Sequence, residues 1–142
     1  MPDNEYENFR MFGIHTWTDS LQLLNAREKL SDELFKRQQC IRDKAILITI
    51  ADLYKCYLED PTKYLAVHMG NKAYSQQWRY NKAGLGIRPL KAVIEALAKR
   101  DYIKFKQGFN DRITGVSKLS RMRALPKLID LIERPTPNSS PV

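Results

Sequence analysis

The chain has 142 residues, a net charge of +8 and 43% hydrophobic residues, which predicts one basic domain with a hydrophobic core of its own. A disulfide scaffold is excluded, because the only two cysteines, Cys40 and Cys56, lie in helical, apolar stretches and suit buried, reduced thiols. The first ten residues lack a secretory signal and no apolar run is long enough to span a bilayer. We therefore expect a cytoplasmic protein without a membrane partner.

The positive charge is concentrated between residues 79 and 125. This segment has twelve basic and three acidic residues, a balance of +9, whereas the rest of the chain has twelve basic and thirteen acidic residues, a balance of −1. A surface with this charge attracts polyanions and binds phosphates by releasing counterions, so nucleic acid is the expected partner. The alternative is a solvated basic face with no partner.

The N-terminal region, residues 1–42, is predicted to serve assembly. Its first seventeen residues are rich in aromatic and apolar side chains, which indicates an arm that docks on the body or on a second subunit. From Thr18 an apolar stripe predicts a helix, with a break near Leu30 because Ser31 followed by two acids is typical of a helix start. The stripe is formed by Leu23, Leu30, Leu34 and Ile41. We expect this region to form a homodimer or to bind a protein partner.

The next elements are predicted to be a helix, a strand, a short turn and a second helix. The first helix covers 43–59 and ends before Asp60-Pro61, because proline interrupts a helix. A strand covers 64–69 and a short turn-like element covers 80–86. The second helix covers 88–100, with proline tolerated in its first turn. Its apolar stripe is formed by Leu90, Val93, Ile94 and Leu97.

A β-hairpin is predicted to follow the second helix. Its first strand covers 102–106, with Ile103 and Phe105 on one face and with Tyr102, Lys104 and Lys106 on the other. Its second strand covers 116–124, in which Arg121 and Arg123 share a face, as do Met122 and Ala124. Pro126 begins a last short helix, and the Pro- and Ser-rich residues 134–142 are expected to be disordered.

This order of elements is that of a winged helix-turn-helix domain, here over residues 43–133. The expected fold class is therefore mainly α with a small β-hairpin wing (α+β). In such a domain the helix before the hairpin enters the major groove, while the wing lies on the backbone or in the minor groove. Arg88, Lys91 and Glu95 share the outward face of that helix. The predicted DNA-binding residues are Arg79, Lys82, Arg88, Lys91, Lys104, Lys106, Arg112, Lys118, Arg121 and Arg123.

The stretch from Gly84 to Ile103, GLGIRPLKAVIEALAKRDYI, resembles the helix-turn-helix core of winged-helix regulators such as the MarR family. In that family a short turn with leucine and glycine leads into a recognition helix, a basic pair and the first wing strand. Asp111-Arg112 also resembles the family's wing. The likeness covers about 45 residues and implies DNA binding. The usual second helix is reduced or missing, and Ile113-Thr114 replaces the wing's second acid–arginine pair.

The expected function is that of a sequence-specific transcriptional regulator that binds double-stranded DNA as a nucleoid-associated homodimer. One alternative is a replication-initiation or accessory protein of a plasmid, phage or other mobile element, because residues 79–82 show a weaker similarity to such proteins. A second alternative is a winged-helix module that binds another protein. Trp78, Arg79 and Tyr80 also allow stacking on single-stranded bases, although packing in the core is the commoner role of such aromatic residues.

No set of catalytic residues is evident. The two histidines, His15 and His68, lie far apart in sequence and neither has a partner at metal-ligand spacing. The Gly84-x-Gly86 pair lacks the third glycine of a phosphate-binding loop. We therefore expect no enzyme activity, no cofactor and no metal site.

Overall fold

The computed structural model describes residues 8–12, 20–35, 40–67, 87–110, 113–115 and 117–134. These residues form a mixed α+β fold with four helices and a four-stranded sheet, and most of the regular structure is helical. The predicted α+β class is thereby confirmed. The short element at 80–86, the end of the strand at 68–69 and the tail beyond Arg134 lie outside the described residues.

The four helices agree closely with the predicted elements. They are α1 (Leu21–Leu34), α2 (Cys40–Glu59), α3 (Ile87–Lys99) and α4 (Pro126–Glu133). α2 begins slightly earlier than predicted and ends before Asp60-Pro61, as expected. None of the helices in the described ranges combines the length and apolar character needed to cross a membrane.

α1 runs through the position where a break is predicted. The predicted break near Leu30 is wrong, because the helix continues through the buried Leu30 and Ser31 to Leu34. The hydroxyl of Ser31 does not cap a new helix but donates a hydrogen bond to Asp43 Oδ1 on α2, 2.6 Å away. Arg27 also contacts this carboxylate, with Nη1 3.2 Å from Oδ2. The serine thus joins two helices instead of starting one.

The sheet contains β1 (Phe9–Met11), β2 (Tyr64–Val67), β3 (Ile103–Lys106) and β6 (Ser120–Ala124) in the order β1-β2-β6-β3. β1 runs parallel to β2, and the other two pairs are antiparallel. The hairpin is extended by β4 (Phe109–Asn110) and β5 (Ser117–Lys118), which pair with each other. The hairpin is therefore confirmed, but its second strand is divided at Leu119, and part of the N-terminal arm docks on the body as a fourth strand.

One face of the sheet packs on the helices to form the core. Leu65, Val67, Met122 and Ala124 on this face lie in one cluster with apolar residues of all four helices. The α1 stripe predicted to form a dimer contributes to this cluster, because Leu23, Ala26 and Leu30 are buried within the chain itself. A dimer, which stays a prediction, would have to use other residues.

Tyr102 does not share the outward face with the lysines of β3, contrary to the prediction. It lies just before the strand, where its ring is buried and its hydroxyl donates to Glu33 Oε1 on α1 at 2.5 Å. Burial and this hydrogen bond raise the pKa of Tyr102 well above its usual range. Arg100 also contacts Glu33, so the end of α3 is tied to α1.

Arg10 attaches β1 to α2. Its Nη2 lies 2.6 Å from Asp52 Oδ1, and its Nε donates to Glu59 Oε1 at 3.1 Å. The Asp52 side chain is only 1% exposed, so the guanidinium provides the charge that this buried carboxylate requires. The first strand is therefore held by ionic contacts as well as by backbone pairing.

Candidate nucleic-acid interface

α3 separates apolar from charged side chains, as its spacing predicts. Its four stripe residues are fully buried. Arg88, Lys91 and Glu95 are exposed, and Lys99 continues the same surface one turn later. The helix therefore presents three cations and one carboxylate along its outer side.

The end of α3 fixes the direction in which the hairpin leaves. Asp101 adopts a left-handed conformation with φ 62°, and its N–H donates to Ala98 O at 3.1 Å. The N–H of Tyr102 donates to Leu97 O at 2.9 Å, which completes the Schellman arrangement of a helix C-terminus. Lys127 of α4 donates to Arg100 O and lies over the Tyr102 ring. Helix and hairpin are thus joined by a tight, well-bonded corner.

The two hairpin strands bring four predicted site residues side by side. Lys104 pairs with Arg123 and Lys106 pairs with Arg121 in the antiparallel register. Because alternate residues of a strand face the same way, all four lie on one face of the sheet. We call this set, Lys104, Lys106, Arg121 and Arg123, the cationic ribbon.

Two members of the cationic ribbon pack on aromatic rings. The guanidinium carbon of Arg121 lies 4.1 Å from the ring centre of Phe9, and that of Arg123 lies 4.6 Å from the ring centre of Tyr64. Arg121 is only 3% exposed and donates from Nη1 to Leu119 O at 2.8 Å. A buried guanidinium held in this way has little surface for a phosphate, so its placement supports a packing role for Arg121.

The other ribbon residues remain accessible in part. Lys104, Lys106 and Arg123 are half-buried. The Lys104 ammonium lies 5.8 Å from the Tyr64 ring centre, which is near the outer limit of a cation–π contact. Lys106 ends β3, and β3 is an edge strand of the four-stranded sheet. Of the ribbon residues, Lys106 is therefore the best placed next to the hairpin tip.

The cationic ribbon and the outer side of α3 lie on opposite faces of the sheet. A pocket of about 260 Å³ separates α3 from the hairpin and is lined by Lys91, Glu95, Phe105, Gln107 and Ser120. Phe105 alternates with Lys104 and Lys106 along β3, so it points to the α3 side and they point away. The hairpin residues that line this pocket together with Lys91 are thus Phe105, Gln107 and Ser120.

Phe105 and Gln107 are residues that charge-based reasoning misses. The signal that identifies them is the alternation Ile103, Phe105, Gln107, because Ile103 belongs to the core on the helix side. Phe105 lies two positions further along β3 and faces that side as well, and Gln107, just after the end of β3 at Lys106, lines the pocket there. The pocket they help to line combines a cation, a carboxylate, a ring, an amide and a hydroxyl.

The hairpin tip exposes apolar side chains. Ile113 is 95% exposed and Phe109 is 45% exposed. Gly115 follows with φ 75°, a left-handed conformation that glycine adopts without strain and that turns the chain back into β5. The tip therefore combines a tight turn with an outward-pointing isoleucine.

Four of the ten predicted DNA-binding residues are placed incompletely or not at all. Arg79, Lys82 and Arg112 lie outside the described residues, as do Trp78, Tyr80 and the two histidines. Lys118 is described only by its backbone, in β5 opposite Phe109. The structure thus brings together Arg88 with Lys91 on α3, and the cationic ribbon on the hairpin.

Cys56 is a buried free thiol, as predicted. Its Sγ donates a weak hydrogen bond to Lys63 O at 3.6 Å, and burial raises its pKa to about 11. A thiol with this pKa is almost entirely protonated at neutral pH and is a poor nucleophile. Within the described ranges, no three His, Cys, Asp or Glu side chains are grouped so that they could hold a metal ion.

No protein-family model, no curated protein and no solved structure matches the chain. The likeness of residues 84–103 to MarR-type regulators therefore stays a resemblance of motifs. The function proposed for the chain accordingly rests on the geometry of α3 and the hairpin.

Proposed function

We propose that this protein is a winged-helix protein that binds double-stranded DNA and acts as a sequence-specific transcriptional regulator. The observation on which this proposal chiefly rests is α3 itself, which has a fully buried apolar stripe, an exposed Arg88–Lys91 pair and a β-hairpin directly after it. A helix placed in this way before a wing is the element that enters the major groove.

The pairing of the strands supports the winged-helix interpretation. β2, which precedes the helix-turn-helix segment, pairs with β6, and β6 pairs on its other side with β3. The hairpin is thereby joined to the strand before α3, as expected for a wing that belongs to the same domain as the helix. β1 is an addition at the edge next to β2.

On α3 we assign base contacts to Arg88 and Lys91. Both lie in the N-terminal half of the helix, which is the part of a recognition helix that reaches base edges. Arginine and lysine donate to the O6 and N7 atoms of guanine, and Glu95 one turn later can accept from the amino group of cytosine. The helix thus offers both signs of charge for sequence readout.

On the hairpin we assign phosphate contacts to Lys106 and the residues of the tip. Lys106 ends β3, and Arg112 and Lys118 lie further along the hairpin in sequence. We no longer assign a phosphate to Arg121, because its guanidinium is buried against Phe9. Lysine can extend its charged end well beyond its point of attachment, which suits contact with a backbone beside the hairpin.

The test is a fluorescence-anisotropy titration of two labelled duplexes over a series of salt concentrations. One duplex has a random sequence, and the other has a sequence selected for tight binding from random duplex fragments. Lys106→Gln should weaken binding to all sequences alike and reduce the slope of log K against log salt by about 0.9. Lys91→Gln should reduce the preference between sequences, by about 1–3 kcal/mol at the base pair that Lys91 contacts. Lys44→Gln removes the same charge from an exposed position on α2 and should change neither quantity.

Two outcomes would contradict this assignment. Lack of binding to any duplex at low salt would refute the DNA-binding function and favour the alternative of a protein-binding module. Equal losses of base preference from Lys91→Gln and Lys106→Gln would refute the assignment of base contacts to α3 and of phosphate contacts to the hairpin. Selection of bound fragments from random duplex DNA would then identify the site, and two symmetric half-sites about one helical turn apart would support a dimer.

A further inference from the structure

We propose that the hairpin tip is an apolar wedge, with Ile113 at its point and Phe109 behind it, that enters the minor groove and partly unstacks one base step. This inference deepens the proposed function and rests on it. It assigns to the protein the ability to bend the DNA that it binds.

The first observation is the position of the exposed apolar surface. Ile113 is almost fully exposed and Phe109 nearly half exposed, and both belong to the hairpin beyond the four-stranded sheet. Single exposed apolar residues are common on protein surfaces, but these two lie close together in sequence at one projecting turn. Neither belongs to the core cluster.

The second observation is the shape of the tip. β4 and β5 pair Phe109 with Lys118 and Asn110 with Ser117, which makes a ribbon only two strands wide. Gly115 turns the chain sharply after Ile113. The minor groove of B-DNA is about 6 Å wide, so it excludes a helix but admits the single side chain at such a turn.

The third observation is charge. The wedge lies within the segment that carries twelve basic and three acidic residues, with Arg112 next to Ile113 and Lys118 opposite Phe109 in the strand register. An apolar side chain within a basic segment suits a polyanion whose interior is apolar, because cations of that segment can meet phosphates while the side chain meets stacked bases.

The energetics lead to a distinctive expectation. Unstacking a base step has an energetic cost, which burial of the isoleucine side chain offsets. Removal of the isoleucine side chain therefore removes both the cost of unstacking and the gain from burial. The affinity for DNA should consequently change by less than about tenfold. The bend should be lost in full, because it depends on the side chain that holds the step open.

The experiment uses a duplex of about 30 bp with a central TA step, which is among the most easily kinked steps. Donor and acceptor dyes at its ends report bending, and 2-aminopurine at the step reports unstacking. The wild-type protein should shorten the end-to-end distance and raise the 2-aminopurine fluorescence. Ile113→Ser should lose both signals while still binding, and Ile113→Met should retain them.

Leu58→Ser and Leu21→Ser are matched controls, because each removes an exposed leucine (56% and 71% exposed) from a helix outside the basic segment. Both should leave bending and unstacking unchanged. Wild-type protein that binds DNA without either signal would overturn the wedge and leave the DNA-binding function intact. Failure of the wild type to bind any duplex would overturn both. Loss of self-association in Ile113→Ser would assign the tip to a protein contact and overturn the wedge.

Discussion

Replacement of Arg10 by methionine tests how the N-terminal strand is held on the body. The substitution keeps an unbranched apolar stem but removes the charge that lies 2.6 Å from Asp52 Oδ1. Breaking a buried ion pair by removing one partner costs about 3–5 kcal/mol, because the other charge is left desolvated. Asp52 is buried but Arg10 is 23% exposed, which lets water approach the gap, so we expect a loss of about 3 kcal/mol.

Urea unfolding followed by far-UV circular dichroism measures this loss as a lower midpoint at an unchanged m-value. For a chain of this size the same loss lowers the Tm by roughly 10 °C. Asp52→Leu in the Arg10→Met background should recover most of the stability, because a buried ion pair replaced by apolar groups is often neutral.

Arg27→Met is the matched control for Arg10→Met. Arg27 also forms an ion pair with an acid of α2, at 3.2 Å, but Asp43 is 22% exposed and keeps the hydrogen bond from Ser31. Pairs of this kind contribute about 1 kcal/mol or less. Equal losses from the two substitutions would refute the claim that the burial of Asp52 makes the Arg10 contact important.

Three further properties can be predicted from single residues. Burial is the main cause that raises the pKa of Tyr54 to about 12 and the pKa of Tyr102 still higher, and a hydrogen bond to a carboxylate adds to it. The two neutral tyrosines therefore stabilise the fold fully below pH about 10, the pKa of tyrosine in the unfolded chain. This stabilisation is lost as the pH rises through their pKa values in the folded protein. Urea unfolding at alkaline pH measures this loss, and Tyr102→Phe should lessen it. Asp101→Gly should raise the free energy of unfolding by about 0.5–1 kcal/mol, because glycine adopts the left-handed conformation without strain; a loss would contradict this. In a Cys40→Ser variant, which keeps one thiol, Cys56 should react with a thiol reagent only after unfolding, and rapid reaction of the folded variant would show that Cys56 is not buried.

The elements that the sequence predicts best are those whose pattern is local. α3 has apolar residues at helical spacing and charges between them, so both its bounds and its buried face follow from a single stretch of chain. The pairing of β3 with β6 follows in the same way from two alternating segments joined by a turn. Packing with distant residues altered only the ends of the hairpin pattern, at Tyr102, which bonds to Glu33, and at Leu119, where the second strand is divided.

The features that the sequence did not predict depend on contacts between distant residues. β1 has only three residues and pairs in parallel with the distant β2, so the sequence around it shows no alternating pattern that would predict a strand. Ser31 has the composition of a helix start, but its hydrogen bond to Asp43 across the α1–α2 corner keeps it inside α1. Such contacts override local propensity because burial and hydrogen bonds contribute more than capping preferences.

The candidate site shows the same division. Alternation correctly grouped the four ribbon residues on one face, but charge alone did not reveal that α3 lies on the other face. Nor did it reveal that Phe9, from a strand missing in the prediction, covers the guanidinium of Arg121. A count of positive charges therefore identifies a segment, whereas the exposure of each side chain decides which charges a ligand can reach.

The central position of β6 in the sheet has a consequence for how the chain folds during synthesis. Among the described residues β6 is the last strand to be made, yet it joins β2 to β3, which do not pair with each other. The chain must therefore emerge from the ribosome as far as Ala124 before the sheet can form. Until then, β6 does not cover the apolar faces of α2 and α3. Contacts between distant parts of the chain slow folding and prolong the exposure of such faces. The apolar core positions on these helices therefore stay accessible to water in the nascent chain until β6 has emerged.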